Sequence, residues 1–259
     1  MTKLAANLTM LFTELPFLER FRAAAQAGFK AVEFLFPYTF EPAQIAGQLR
    51  KNELELVLHN LPAGNWDAGE RGIACHPDRV GEFRRGVDDA LRYAKVLGVK
   101  QLNCLAGIRP QSISVEVARE TLLANLKFAA DKLEADGIAL LIEPINCFDI
   151  PGFFLNTTKQ AVELIMASGS GNLFVQYDVY HMQRMEGELA NTIKANLSLI
   201  RHVQLADNPG RGEPGTGEIN YRFLFRHLDE IGYRGWIGCE YKPKAGTAEG
   251  LGWRAAHGL

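Results

Sequence analysis

Cysteine is scarce and unpatterned in this chain. Cys75, Cys104, Cys147 and Cys239 form no CxxC pair and lack the density of a disulfide scaffold, so reduced thiols are expected. Cys104 and Cys239 fall inside predicted strands, where they read as small buried hydrophobes. An excess of one charge is also missing: 28 Lys and Arg stand against 30 Asp and Glu, for a net charge of −2. The basic residues are scattered rather than gathered into a stripe, which argues against nucleic-acid or membrane-surface binding and leaves a small molecule as the expected partner. No apolar run reaches membrane-spanning length, and the opening MTKLAANLTMLFTE soon meets Glu14 and Pro16 without a cleavage-like site. A soluble, cytoplasmic protein is the expectation. The GxGxxG turn of a dinucleotide-binding half is absent too, so no nucleotide cofactor is expected.

What is present is a strand–helix rhythm. Apolar β-branched or aromatic runs recur at 4–8, 31–36, 54–59, 99–105, 138–143, 173–178, 202–207 and 235–241. Between them lie segments of helical periodicity at 17–28, 41–52, 81–98, 114–137, 157–169, 188–200 and 220–232. Gly28, Gly98, Gly137 and Gly232 stand where helices end, immediately before the next strand. Alternation of this kind builds a parallel sheet, and eight units in 259 residues favour closure. The predicted fold class is α/β, a (β/α)₈ TIM barrel, as one domain over residues 1–259. Connections after strands are long (60–79, 146–156, 179–188, 208–218) while those before strands are short. That places loop length on the C-terminal face, where barrels keep their chemistry.

Four polar residues end consecutive predicted strands: Glu143, Asp178, Gln204 and Glu240. Side chains alternate along a strand, so Gln176 shares a face with Asp178, and His202 with Gln204. One inward register gathers the four. Three carboxylates and an amide oxygen are hard ligands that suit Mg²⁺ or Mn²⁺, and a bound cation would relieve their mutual repulsion. Capping of the following helix is the plainer alternative for each acid. His181 follows Asp178 by one turn and is a candidate for contacting substrate or orienting a ligand. Arg211, in the glycine-rich loop after strand seven, is a candidate partner for a substrate carboxylate or hydroxyl pair. His59, with Asn60, ends strand three, and Glu70 lies in the long loop beyond it; His59 and Glu70 are candidate substrate contacts. Asn7 and Glu33 are weaker ones.

The stretches NLTMLFTELPFLERF, AVEFLFPY, LHNLPAGNWDAGERGIACHPDR, LLIEPIN, FDIPGFFL, VQYDVYHMQRMEGEL, ADNPGRGEPGTGEINY and GWIGCEYKP run from end to end of the chain. They resemble the xylose isomerase-like TIM-barrel superfamily and, within it, the hydroxypyruvate isomerase family. The resemblance implies interconversion of hydroxypyruvate and tartronate semialdehyde, an aldose–ketose rearrangement of a hydroxy-oxo acid. It assigns Glu143 and Glu240 as the acid/base pair and adds Asp178 and Gln204 to them as a metal site. It also makes a homo-oligomer a fair expectation. A related isomerase of 2-oxo-tetronate, a four-carbon acid, is the alternative. Endonuclease IV-type enzymes share the barrel and a DxxH motif like Asp178 to His181. Here, however, Gln204 stands where they carry histidine, and Pro209–Gly210–Arg211 replaces a DRH-like segment, so a multi-zinc phosphodiesterase is disfavoured. A barrel without activity, serving as a binding protein, is a third alternative.

Overall fold

The computed structural model describes residues 2–258. Eight parallel strands close into a barrel in sequence order: β1 (Lys3–Asn7), β2 (Ala31–Glu33), β3 (Glu55–Asn60), β4 (Gln101–Cys104), β5 (Ala139–Ile142), β6 (Leu173–Asp178), β7 (Ile200–Leu205) and β8 (Trp236–Cys239), with β8 pairing back to β1. Around them pack α1 (Phe17–Gln26), α2 (Pro42–Lys51), α3 (Val80–Leu97), α4 (Val115–Glu134), α5 (Thr158–Ser168), α6 (Val179–Met185), α7 (Leu189–Ala195) and α8 (Tyr221–Glu230). Two short helices, α9 (Thr247–Gly250) and α10 (Trp253–Ala256), follow β8. No helix among the described residues is long and apolar enough to cross a membrane.

All eight anticipated strands are present, and the reason lies in two-sided burial. The outward face of each strand meets a helix and the inward face meets the barrel interior, so a run such as Ala139–Ile142 is buried at every position. Helix ends follow local chemistry. Ser114 and Thr157 accept backbone N–H groups at the starts of α4 and α5, and Gly98 takes the left-handed conformation that ends α3. Three anticipated boundaries differ. Residues 179–188, read as a loop, begin with α6, because the Asp178 carboxylate accepts the N–H groups of Tyr180 and His181 and starts a helix. The helix anticipated over 188–200 stops at Ala195, and Ile200 already pairs with Val175 in β7. The helices α9 and α10 occupy a tail with no long periodic run.

The barrel interior is layered. At the bottom, Ala5, Ala31, Val57, Leu58 and Leu141 form a small apolar cluster with Phe174 and Trp236. Above it the inward positions turn polar on β1 to β4, β6 and β7: Asn7, Glu33, Asn60, Asn103, Gln176, His202 and Gln204, all buried. The larger apolar core lies between the sheet and the helices, including Phe21, Phe34, Leu102, Leu126 and Val203. The polar layer, set over an apolar plug, forms the floor of the site.

Candidate active site

The floor is a continuous hydrogen-bonded network. Glu33 Oε1 accepts from Asn7 Nδ2 (2.9 Å) and Gln204 Nε2 (2.7 Å), and its Oε2 lies 2.6 Å from His202 Nε2. Gln176 Nε2 donates both to Gln204 Oε1 (2.6 Å) and to Glu143 Oε2 (2.8 Å). Asn103 Nδ2 also donates to Glu143 Oε2 (3.0 Å) and to Asn60 Oδ1 (3.2 Å). The amide nitrogens of Asn7, Asn103, Gln176 and Gln204 all find acceptors, which fixes the orientation of these side chains, while the buried Asn103 Oδ1 and Gln176 Oε1 have no partner among the described residues. Gly238 makes room for it: a Cβ there would lie 2.3 Å from both Glu33 carboxylate oxygens.

Above the floor, the four sequence-selected residues and His181 come to the C-terminal mouth. Asp178 uses Oδ1 to cap α6, accepting from Tyr180 N at 2.8 Å and His181 N at 3.4 Å, while its buried Oδ2 has no hydrogen-bond partner among the described residues. Capping and a free inward oxygen are therefore realised by one carboxylate. Ligand atoms of Glu143, Asp178 and His181 all lie within 4.8 Å of one another. A buried orphan carboxylate oxygen beside a second carboxylate is a donor set that fits a hard cation.

His181 takes a defined tautomer. Asn146 Oδ1 accepts from the backbone N–H groups of Phe148 and Asp149, which turns its Nδ2 toward His181 Nδ1 at 2.6 Å. His181 Nδ1 is then the acceptor, and the proton sits on Nε2, 3.7 Å from Asp178 Oδ2 and 3.9 Å from Glu143 Oε1. Burial, reinforced by Arg211 and Arg184, pushes its pKa well below the usual histidine value, so the ring is a neutral N–H donor aimed into the site.

Arg211 Nη2 lies 3.2 Å from Glu240 Oε1 and 3.8 Å from Asp178 Oδ2. Its backbone is in the left-handed region (φ 52°), uncommon for a residue with a side chain, and its carbonyl accepts from Lys242 N at 2.7 Å. The loop that carries it is organised by Asp207, whose carboxylate accepts the backbone N–H groups of Asn208, Gly215, Gly217 and Ile219.

Charge crowding sets the protonation of the acids. Burial raises the Glu143 carboxyl well above the carboxylate range, with Glu240 and Asp178 adding repulsion while Arg211 and the Asn103 donor oppose it. Glu240 is raised to about 8, chiefly by burial, against the pull of Arg211. Asp178 is raised for the same first reason. A cation bound among these carboxyls would oppose these shifts.

A cavity of about 730 Å³ opens over this cluster, lined among others by Glu143, His181, Gln204, Arg211 and Glu240. The sequence profile described as a xylose isomerase-like TIM barrel matches residues 21–257. The chain belongs to that family. The hydroxypyruvate isomerase of Escherichia coli (strain K12) is 56% identical over 253 residues, covering 98% of each chain. The 2-oxo-tetronate isomerase of Cupriavidus necator is 47% identical over 253 residues, covering 98% of this chain and 97% of that protein. A crystal structure described as an AP endonuclease of family 2 from Brucella melitensis superimposes with a TM-score of 0.96 at 46% identity, covering 99% of both chains. The 3-keto-D-glucoside 4-epimerase YcjR of E. coli, at 20% identity and a TM-score of 0.82, shares the fold.

Two sequence-selected candidates lie away from the cavity of this family member. His59 is fully buried beneath Asn60, with Nδ1 3.1 Å from the Asn60 carbonyl and its ring packed between Phe34 and Tyr38. Glu70 turns outward to a salt bridge with Arg79 and accepts the N–H of Asn65. The neighbouring residue, Arg71, lines the cavity instead. Sequence reasoning also passed over Asn103, Asn146 and Tyr180, and saw Gln176 and His202 only as face-mates of stronger candidates. The available signal was polarity at inward strand positions: an amide at Asn103 between the apolar Leu102 and Cys104, and a glutamine two residues before Asp178.

Proposed function

We propose that the protein is an isomerase interconverting hydroxypyruvate and tartronate semialdehyde by proton transfer through an enediolate. The observation that carries the reading is the pair of buried carboxyls, Glu143 and Glu240, at one mouth with Arg211 and His181 between elements β5 to β8. The likeness in sequence to the E. coli hydroxypyruvate isomerase over nearly the whole chain supports the choice of substrate.

Glu143 Oε2 is held by Asn103 and Gln176, which leaves Oε1 facing the cavity. One glutamate, ionised, removes a proton from C3 beside the carbonyl; the other, as the acid, returns a proton at C2, while the C3 hydroxyl proton passes to the C2 oxygen, so that the aldehyde forms at C3 and the alcohol at C2. A carboxyl raised toward neutrality is a stronger base when ionised and a ready acid when protonated; ligation of a cation by the same carboxyl lowers that basicity, so the dual role requires a metal contact that is transient or through one oxygen. His181 Nε2–H and the Arg211 guanidinium are placed to donate to the oxygens on which negative charge develops. Mg²⁺ or Mn²⁺ would be held by Glu143, Asp178, Gln204 and Glu240, and when bound supplies charge stabilisation to those same oxygens. Gln204 Oε1 already accepts from Gln176, so ligation would share or displace that hydrogen bond.

The cavity volume admits a four-carbon acid as readily as a three-carbon one, and this favours 2-oxo-tetronate as the second reading. A multi-zinc phosphodiesterase reading is not supported. Of the six histidines, His181 alone joins a cluster of metal-ligating groups among the described residues. Soluble, cytoplasmic action on a small acid, without nucleic acid, completes the proposal. Steady-state assays with hydroxypyruvate and 2-oxo-tetronate test it: higher kcat/KM for hydroxypyruvate is expected. Turnover of the tetronate alone would reverse the order, and cleavage of abasic DNA with neither acid converted would overturn it.

A further inference from the structure

We infer that Arg71 is the anchor for the substrate carboxylate, a specificity residue that the proposed isomerase chemistry does not otherwise use. The inference rests on that functional reading, and it begins with charge. The acid to be isomerised is an anion, and the carboxylates at the mouth would repel it unless a cation not already consumed by them holds its carboxylate. Five basic side chains line the cavity. Arg211 faces Glu240 and Asp178. Arg184 is paired with Asp149. Arg20 donates to the carbonyls of Leu15 (2.9 Å) and Leu8 (2.7 Å) and has Glu14 beside it. Lys242 is exposed at the rim. Arg71 is half-buried and, among the described residues, has no carboxylate within ion-pair distance.

Its geometry is that of a prepared binding group. Arg71 Nη1 donates to the carbonyls of Trp66 (3.0 Å) and Glu70 (2.7 Å), using both of that nitrogen's protons. Its guanidinium lies over the Trp66 ring, 4.1 Å from the centroid, and Trp66 in turn leans on Phe36. Among the described residues, what stays uncommitted is the Nε and Nη2 edge, the side-on fork that matches a carboxylate's two oxygens. The loop presenting this fork is itself locked. Glu70 accepts from Asn65 N and is gripped by Arg79, which also removes it as a partner for Arg71. The next residue, Gly72, sits at φ 111° against β4's exit, where a Cβ would lie 2.4 Å from the Leu105 carbonyl, and Cys75 N donates to Ala106 O at 2.9 Å. The order of ordering is thus settled before substrate arrives, which lowers the entropic cost of binding.

The test compares Arg71→Met and Arg71→Lys with the intact protein, using hydroxypyruvate as substrate, glycerate as a charged competitor and dihydroxyacetone as a neutral one. For Arg71→Met, the KM for hydroxypyruvate and the inhibition constant of glycerate should rise about thirty-fold, as for loss of a charge-assisted hydrogen-bond pair. The kcat should stay within a few-fold, and the inhibition constant of dihydroxyacetone should be unchanged. Arg71→Lys, keeping charge without the fork, should fall between. Unchanged affinity for both acids would overturn the inference, and so would parallel weakening of dihydroxyacetone, which would mark a merely structural role for the loop. Failure of the functional reading looks different: the unaltered protein would convert no hydroxy-oxo acid, while calorimetric binding of glycerate against dihydroxyacetone would still read out Arg71.

Discussion

Glu33 and Glu143 are the same residue type at inward-facing ends of β2 and β5, each buried to within 4% of completely. Their surroundings differ in one respect. Both oxygens of Glu33 meet nitrogen partners, from Asn7, Gln204 and His202, and the carboxylate is consumed by the floor it holds together. Glu143 has donors on Oε2 alone, and around it stand Asp178 with an unpartnered oxygen and Glu240 raised to about 8. Burial by itself therefore does not mark a reactive acid; incomplete satisfaction does. A carboxylate with all its neighbours in place stabilises, whereas one left short by its protein partners is available to a cation, a substrate or a proton.

Substitution separates the two. Glu143→Gln should lower kcat by about a thousand-fold, the scale of a lost acid/base group, while leaving the melting temperature equal or higher because a source of repulsion has gone. Glu33→Leu should do the reverse in kind: it strands three donors and should cost about 4 kcal/mol, read as a fall of roughly 10 °C in melting temperature. If Glu33→Leu left stability intact, the fully partnered Glu33 carboxylate would not be the structural element described.

A smaller effect tests the floor from the β3 side. His59, buried and neutral, has its pKa lowered to about 4, first by burial. Its unfolded value of 6.5 is higher, so below pH 6.5 the unfolded chain binds a proton that the folded chain refuses. Stability is full above pH 6.5 and declines as pH falls toward 4, by up to about 3 kcal/mol. Denaturant unfolding at pH 7.5 and 5 should differ by less for His59→Gln than for the unaltered chain. Smallest is the metal effect on folding: chelation should lower stability by about 2–3 kcal/mol at a hundred-fold excess of Mg²⁺ or Mn²⁺ over its dissociation constant, in a calorimetric scan. Equal melting with and without cation would count against the orphaned Asp178 oxygen as a ligand.

The barrel was legible because it needs only period and punctuation: runs such as IALLI, and glycines such as Gly98 and Gly137, announce strand and helix end without reference to anything distant. The strand-end acids were legible for a similar reason, since alternation along β6 and β7 fixes which residues face inward. What local pattern does not carry is partnership. Nothing near Glu70 in sequence separates it from Arg71, and only Arg79, nine residues on, turns the carboxylate out of the cavity and leaves the guanidinium in it. His59 likewise looks exposed to substrate at a strand end until Phe34 and Tyr38 close over it. The tautomer of His181 depends on Asn146, whose own orientation is set by a turn at Phe148 and Asp149.

The central claim, that the buried carboxyls Glu143 and Glu240, beyond β5 and β8, move a proton, is most directly tested by converting hydroxypyruvate in D₂O and following the product by NMR. Solvent deuterium at C2 of tartronate semialdehyde, lost together with turnover in Glu143→Gln, is the predicted result. Complete retention at C2 of the hydrogen that left C3, whatever the solvent, would mean direct hydride transfer and would contradict the account.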